Sequence, residues 1–240
     1  MVSEGDDLAD LILKALEHAG IELVSGDILV VAQKIVSKCE GRSVDLANIT
    51  ASPEAIELAQ EVEKDPRIVE LILSESASLM RKKPGVLIMR HKLGLVGAHA
   101  GIDQSNIDHA DGECALLLPI DPDNSAQALK QALEAGSVAD IGVLISDSMN
   151  RPWRLGTIGC AIGSAGISVL DDYRGGEDIY GRELKVTLIN RADAIATAAT
   201  LVMGETTEKV PVVLVRGFEP ERSDSTAKDM VRPLEEDMFQ

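Results

Sequence analysis

The scarcity of aromatic side chains is the feature that most narrows what this chain can fold into. Trp153, Tyr173, Tyr180, Phe218 and Phe239 are the only five in 240 residues, yet 45% of the residues are hydrophobic. A chain of this length can bury a substantial core, and here that core must be built from Val, Ile, Leu and Ala. The Gly- and Ala-rich stretch "GTIGCAIGSAG", residues 156–166, is suited to close backbone approach.

Apolar patterning organises the rest. "GDDLADLILKALEHAGIEL" puts Leu8, Leu11, Ile12, Ala15, Leu16 and Ala19 on one helical stripe, with Gly20 as its stop. "GDILVVAQKIVS" reads as a buried strand entered through Gly26–Asp27. Ser52 is placed to cap a helix with Pro53 at its first position. "PRIVELILSESASLMRKK" reads as a second helix whose basic end suits the C-terminal dipole. "GVLIMRHKLGLVGAHAGID" is patterned as a hairpin around Lys92–Gly94, and "NSAQALKQALEAG" as a capped helix. "DIGVLISD" reads as a buried strand ending on Asp147, "LKVTLIN" as a strand, "ADAIATAATLVMG" as a helix ending at Gly204, and "VPVVLVRG" as a last strand. Strands and helices mix without a clean βαβ repeat, which favours an α+β fold with mixed or antiparallel sheets over a doubly wound or Rossmann one. One domain over 1–218 is expected, followed by a polar, poorly packed tail over 219–240.

A net charge of −17 argues against nucleic acid or an anionic membrane as the main partner, while leaving room for a local basic site. No apolar run approaches the roughly eighteen residues of a membrane helix, and no signal-peptide pattern opens the chain. Cys39, Cys114 and Cys160 stand at no metal-ligand spacing, so buried free thiols in a reducing cytoplasm are expected.

Chemistry concentrates in two stretches. "AGIDQSN" (100–106) and "ISDSMNRPWR" (145–154) each set an aspartate, Asp103 or Asp147, just after an apolar segment. Mg²⁺ and Mn²⁺ prefer such hard oxygen donors. Ser148 adds a neutral oxygen, and Glu205, just past a helix end, could add a carboxylate. The same acids could equally be turn formers and caps. Residues 151–182 gather Arg151, Arg154, Arg174 and Arg182 with Trp153, Tyr173 and Tyr180. Guanidinium groups grip phosphates and carboxylates, and aromatic faces stack on planar rings. The alternative is a surface salt-bridged to Asp171, Asp172, Glu177 and Asp178. Lys34 and Lys38, at the end of an apolar strand, suit phosphate or plain solvent. No P-loop, HExxH, GxSxG or dinucleotide fingerprint occurs, and "NRAD" at 190–193 without a P-loop is a coincidence.

The segments "GDILVVAQKIVSKCEGR", "AGIDQSN", "LLPIDPDNSA", "ISDSMNRPWR", "AIGSAGI", "DYRGGEDIYGREL" and "LVMGETTEKVPVVLVRG" resemble, in sequence and order, the coenzyme F420-0:γ-glutamyl ligase family. The resemblance spans roughly residues 5 to 217. It implies a family-specific α+β fold outside the P-loop class, and a homodimer. It also implies ligation of L-glutamate to F420-0, then γ-linked addition of further glutamates through an acyl phosphate. The co-substrate would be GTP, with two Mg²⁺ or Mn²⁺ ions per site and K⁺ as a further cation. Carried over residue by residue, Asp103 and Asp147 would ligate one metal and act as the catalytic pair. Ser148, where the family usually has threonine, and Glu205 would serve a second metal. Gln33, Lys34, Lys38, Asn106 and the loop Met203, Gly204, Glu205, Thr206, Thr207, Glu208, Lys209 and Val210 would contact GTP. Arg151, Arg154, Tyr180 and Arg182 would hold F420-0. A metal-dependent phosphohydrolase and a non-catalytic GTP-binding relative are the competing readings. Members usually begin with an extra strand and a Gly-Leu-Pro-like loop that reaches the nucleotide. Gly5, Asp6, Asp7 and Leu8 match the segment after it, so GTP is expected to bind about tenfold more weakly here than to a chain with that extension.

Overall fold

Residues 28–31 and 141–145 are uninterrupted apolar runs, the pattern of strands covered on both faces, and the computed structural model builds its centre from them. It describes residues 1–109, 112–136, 139–218 and 221–238. In chain order the elements are α1 (Leu8–His18), β1 (Ile28–Ala32), α2 (Gln33–Cys39), β2 (Ser43–Asp45), α3 (Pro53–Val62), α4 (Pro66–Glu75), β3 (Ser76–Lys83), β4 (Val86–His91) and β5 (Val96–Ala98). There follow β6 (Cys114–Leu116), α5 (Pro122–Ala135), β7 (Gly142–Asn150), β8 (Thr157–Ala165), β9 (Leu170–Asp172), β10 (Leu188–Asn190), α6 (Arg191–Met203) and β11 (Val212–Val215). The central sheet has the order β11-β1-β7-β8, with only β1 and β7 parallel. Helices combined with such mixed parallel and antiparallel sheets make an α+β fold.

Alternation along the strands divides the core between the two faces of this sheet. Leu29 and Val31 of β1, with Val143 and Ile145 of β7, pack under α1, α2 and α5. Ile28, Val30 and Leu144 pack against Ala192, Ile195, Ala196 and Ala199 of α6. A second core joins α3 and α4 to the β3-β4-β5 sheet through Leu58, Val62, Val69, Ile72, Leu87 and Met89. All of these side chains are aliphatic or methionine.

Several sequence expectations hold. The Ser52 hydroxyl accepts from the Ala55 N–H at 3.2 Å and Pro53 opens α3. β4 and β5 form the hairpin turning at 92–94. β8 crosses α6 and α5 at glycines. A Cβ on Gly159 would lie 2.4 Å from the Ala196 carbonyl oxygen, and one on Gly163 2.3 Å from that of Pro122.

Others need correction. The strand expected over "GDILVVAQKIVS" stops at Ala32, and Gln33–Cys39 is helical. Ile35 and Val36 suggested a strand, but both are buried from a helix beside the sheet, where tertiary packing overrides β-branched propensity. The helix expected over 66–83 ends at Glu75. Residues 76–83 form an edge strand whose exposed positions carry Arg81, Lys82 and Lys83, charges that discourage edge pairing. β7 runs past Asp147 to Asn150, and the "LKVTLIN" strand is confined to Leu188–Asn190.

The tail is not loosely packed over 221–238 (Glu219, Pro220, Phe239 and Gln240 lie outside the described residues). Ala227 is buried, Ser168 N–H donates to the Glu221 carbonyl at 2.8 Å, and Arg90 pairs with Asp237 at 2.7 Å. The anchor is Asp123, 7% exposed, whose Oδ1 accepts from Ser164 N–H at 2.9 Å and Ala227 N–H at 2.8 Å. Asp123→Ala strands both donors in a buried site. It is expected to destabilise the protein by about 2 kcal/mol and to make the 221–238 segment protease-sensitive. Urea denaturation followed by circular dichroism, with limited proteolysis, checks this; unchanged stability and a protected tail would remove Asp123 as the anchor.

Candidate active site

The wiring of the central sheet delivers three segments to one end. Ala32 of β1 lies opposite Ser146 of the parallel strand β7, so Gln33, just past the end of β1, and Asp147 of β7 lie side by side. β11 runs antiparallel to β1, and the Ala32 N–H donates to the Pro211 carbonyl at 2.8 Å, so the loop 203–210 arrives at the same end. Ligands commonly bind at the carboxyl ends of parallel strands. A fourth segment comes from outside this sheet: Asp103 forms an isolated bridge with Leu116 at the end of β6.

Two lysines of α2, one turn apart, grip that fourth segment. Lys34 Nζ lies 2.5 Å from Asp103 Oδ2 and donates to the Ser105 carbonyl at 3.2 Å and hydroxyl oxygen at 3.1 Å. Ser105 in turn donates to Asp103 Oδ1 from its hydroxyl at 2.7 Å and its N–H at 3.0 Å. Lys38 Nζ donates to the Asn106 carbonyl at 2.8 Å, and Asn106 itself is held at φ 56°, a left-handed conformation costly for most residues. Burial, then the neighbouring charge of Lys34, lowers the Lys38 pKa from its ordinary value.

The two aspartates are electrostatically unequal. Burial would raise the Asp103 carboxyl, but Lys34 and the two Ser105 donors outweigh it and hold the group below the usual range. Asp147 is pushed up to about 7, chiefly by burial and further by the charge of Asp103. Three contacts oppose that rise: the Ser148 N–H at 2.8 Å, the Lys34 charge and a hydrogen bond from Gln33. Gln33 is 2% exposed, and its Oε1 accepts from Ser37 at 3.0 Å, which leaves its amide N–H₂ for Asp147.

Two carboxylates that feel each other, with one ammonium, that of Lys34, against them among the described residues, make a site short of positive charge. Their oxygens are hard donors, and a divalent cation of the Mg²⁺ or Mn²⁺ type would supply the missing charge. The donor set therefore fits one such ion, which Asp103 and Asp147 would hold. Ser148 is exposed, and Glu205 is exposed just beyond α6. No group of three or more acidic, His or Cys side chains poised to hold a metal occurs among the described residues.

Met203 is buried, while 205–210 form an exposed loop in which Glu208 accepts from the Thr206 N–H at 2.8 Å and Lys209 has φ 57°. Of the basic and aromatic cluster, Arg154, Tyr180 and Arg182 are exposed and Arg174 pairs with Asp172 at 2.6 Å. Arg151 is partly buried and lines a cavity beyond Asp147. The structure thus brings together Gln33, Lys34, Lys38, Asp103, Asn106 and Asp147. Sequence reasoning passed over Ser105, the clip between Lys34 and Asp103. The four-residue spacing of Lys34 and Lys38 was the available signal that both sit on one side of a helix.

Residues 1–217 match the family described as F420-0:Gamma-glutamyl ligase. The chain is 44% identical over 241 residues to the coenzyme F420:L-glutamate ligase of Methanothermobacter thermautotrophicus, covering 100% of this chain and 94% of that one. It is 43% identical to the protein of the same name from Methanopyrus kandleri, over 99% of this chain and 93% of that one. The Archaeoglobus fulgidus protein of that name is 37% identical over 100% of this chain and 92% of its own length. A match of this extent, carried by a chain whose paired aspartates and lysines converge at one sheet end, establishes that the chain belongs to the F420-0:γ-glutamyl ligase family.

Proposed function

We propose that this chain joins L-glutamate to coenzyme F420-0, and adds further γ-linked glutamates, at the expense of GTP and with Mg²⁺ or Mn²⁺. Family membership supports the reaction, and the convergence of Asp103 and Asp147 with Lys34 and Lys38 supports the site. A free carboxylate is a poor electrophile. Transfer of the terminal phosphoryl of GTP to the acceptor carboxylate makes an acyl phosphate. The glutamate amine then attacks its carbonyl carbon, a C–N bond forms, and phosphate leaves with the C–O electron pair. A bound divalent ion supplies charge neutralisation at the transferring phosphoryl group. Asp103 and Asp147 hold that ion. Lys34 and Lys38 act as point charges toward the phosphates, and Asn106 with the 203–210 loop frames the nucleotide.

A homodimer belongs to the same proposal. Trp153, Leu155, Ile179, Tyr180, Val186 and Leu201 are each at least 86% exposed, more bare apolar surface in 153–201 than a monomer needs.

Mass spectrometry of F420-0, GTP, Mg²⁺ and glutamate incubated with the protein tests the reading: glutamyl-F420 should form together with GDP. GTP or phosphoester hydrolysis indifferent to glutamate would favour the phosphohydrolase instead. Lys38→Ala is expected to raise the KM for GTP about tenfold and to leave that for glutamate within about twofold. Steady-state kinetics with each substrate varied decide it, and a change confined to glutamate would move Lys38 out of the nucleotide site.

A further inference from the structure

We infer that the cavity between the end of the β7–β8 ribbon and the 221–238 segment is an anion site for the phosphate-bearing part of the acceptor, formed by Arg151, Arg90 and Arg232. The identity of the acceptor rests on the ligase reading above; the anion chemistry does not.

The cavity encloses about 350 Å³, within the range of small-ligand sites. One wall continues the surface that carries Asp147. Met149 is two residues further along β7 and so on the same face, and Cys160 and Ile158 are the cross-strand partners of Asp147 and Met149. Arg151 follows the strand end. Its Nη1 is fully enclosed and has no hydrogen-bond partner among the described residues. Leaving a buried guanidinium donor unmatched is costly, and an arriving oxyanion removes that cost.

The opposite wall is the C-terminal segment, through Ala227, Met230, Val231, Arg232 and Asp237. Arg232 is exposed and makes no ion pair among the described residues. Arg90 lines the cavity while paired to Asp237 at 2.7 Å. The other lining acid, Asp193, is already engaged: Oδ1 accepts from the Ala161 N–H at 2.8 Å and Oδ2 from Asn190 Nδ2 at 2.6 Å. Burial, then the charge of Asp193, pushes the Cys160 thiol well above its ordinary range, so the thiol adds no charge to that wall. Hydrogen bonds to these neutral donors leave Asp193 its charge, but three guanidinium groups, Arg90, Arg151 and Arg232, face two lining carboxylates, so the cavity keeps an excess of positive charge. In a chain of net charge −17 such a spot is selective, because the surrounding field repels anions that no guanidinium receives. A ligand held here by its phosphate lies beside Asp147, so its carboxylate can reach the metal-binding pair.

Calorimetric titration of the full chain with F420-0, without GTP or glutamate, tests this in the wild type, Arg232→Ala, Arg232→Lys and Arg151→Gln. Arg232 is exposed, so its variants should melt with the wild type. F420-0 affinity should fall about tenfold or more in Arg232→Ala and in Arg151→Gln and be largely retained in Arg232→Lys, while GTP affinity stays within about twofold. Unchanged F420-0 affinity in both charge-removing variants, equal losses for GTP, or no binding to the wild type would each overturn the assignment. Arginine-dependent binding of F420-0 here, with no glutamyl product by mass spectrometry when GTP, Mg²⁺ and glutamate are supplied, would instead sink the ligase reading and leave the cavity assignment standing.

Discussion

Asp147→Asn is expected to lower kcat by about a thousandfold or more, several kcal/mol of charge stabilisation, and at the same time to stabilise the metal-free protein above pH 7. The first effect follows from losing one of the two carboxylates proposed to hold the metal. The second follows from the folded-state pKa of about 7 against an unfolded value near 3.9. Between those values the folded chain keeps a proton that the unfolded chain has released, so stability falls as pH rises from about 4 to about 7. Below pH 4 the penalty is absent; above 7 it is complete. Three pKa units would amount to ~4 kcal/mol, but Asp147 is half-buried and relaxes, so about 1–2 kcal/mol is expected. Asparagine keeps the shape and carries no charge to desolvate. Urea denaturation of chelator-treated protein at pH 5 and pH 8 reads the difference: the variant's advantage should be clearly larger at pH 8 than at pH 5. Saturating Mg²⁺ should reverse the order, because the ion stabilises only a chain that binds it. Equal stabilities at both pH values would mean that Asp147 titrates as an ordinary surface acid.

Gly159→Ala and Gly163→Ala are each expected to cost about 3 kcal/mol or more, or to give insoluble protein. The added methyl meets main-chain oxygens, Ala196 O at 2.4 Å and Pro122 O at 2.3 Å. Neither α6 nor α5 can yield by turning a side chain. β8 is thus pinned between two helices, and both contacts depend on hydrogen at Cα. Thermal melting by circular dichroism measures the loss, and variants within about 1 kcal/mol of wild type would show that the helices move apart freely. A core short of bulky rings obtains density in this way, by bringing backbones together.

The sequence made β1, β7, α3, α5, α6 and β11 legible because each carries an uninterrupted period or a cap. It misassigned Gln33–Cys39 and Ser76–Lys83. In both, one regular element passes directly into another of the opposite kind, with no Gly or Pro to mark the change. For the site, Asp103 and Asp147 could be singled out by their position after apolar segments, but not shown to meet. Their meeting depends on the parallel register of β1 with β7 and on a bridge between Asp103 and Leu116, pairings between residues far apart in the chain. Arg232 was invisible for the same reason: its role depends on where a polar tail folds back.

The lone tryptophan has a practical consequence for watching this protein. Trp153 is 88% exposed, and the five aromatics leave the two central cores without a ring. In the single chain its indole already sits in water, so unfolding of a separated protomer should change its emission little. The same ring stands two residues from Arg151 and within the bare apolar surface. Intrinsic fluorescence of this protein should therefore act as a local gauge, little changed when a separated protomer unfolds and responsive when an acceptor or a second copy arrives beside, or leaves, residue 153.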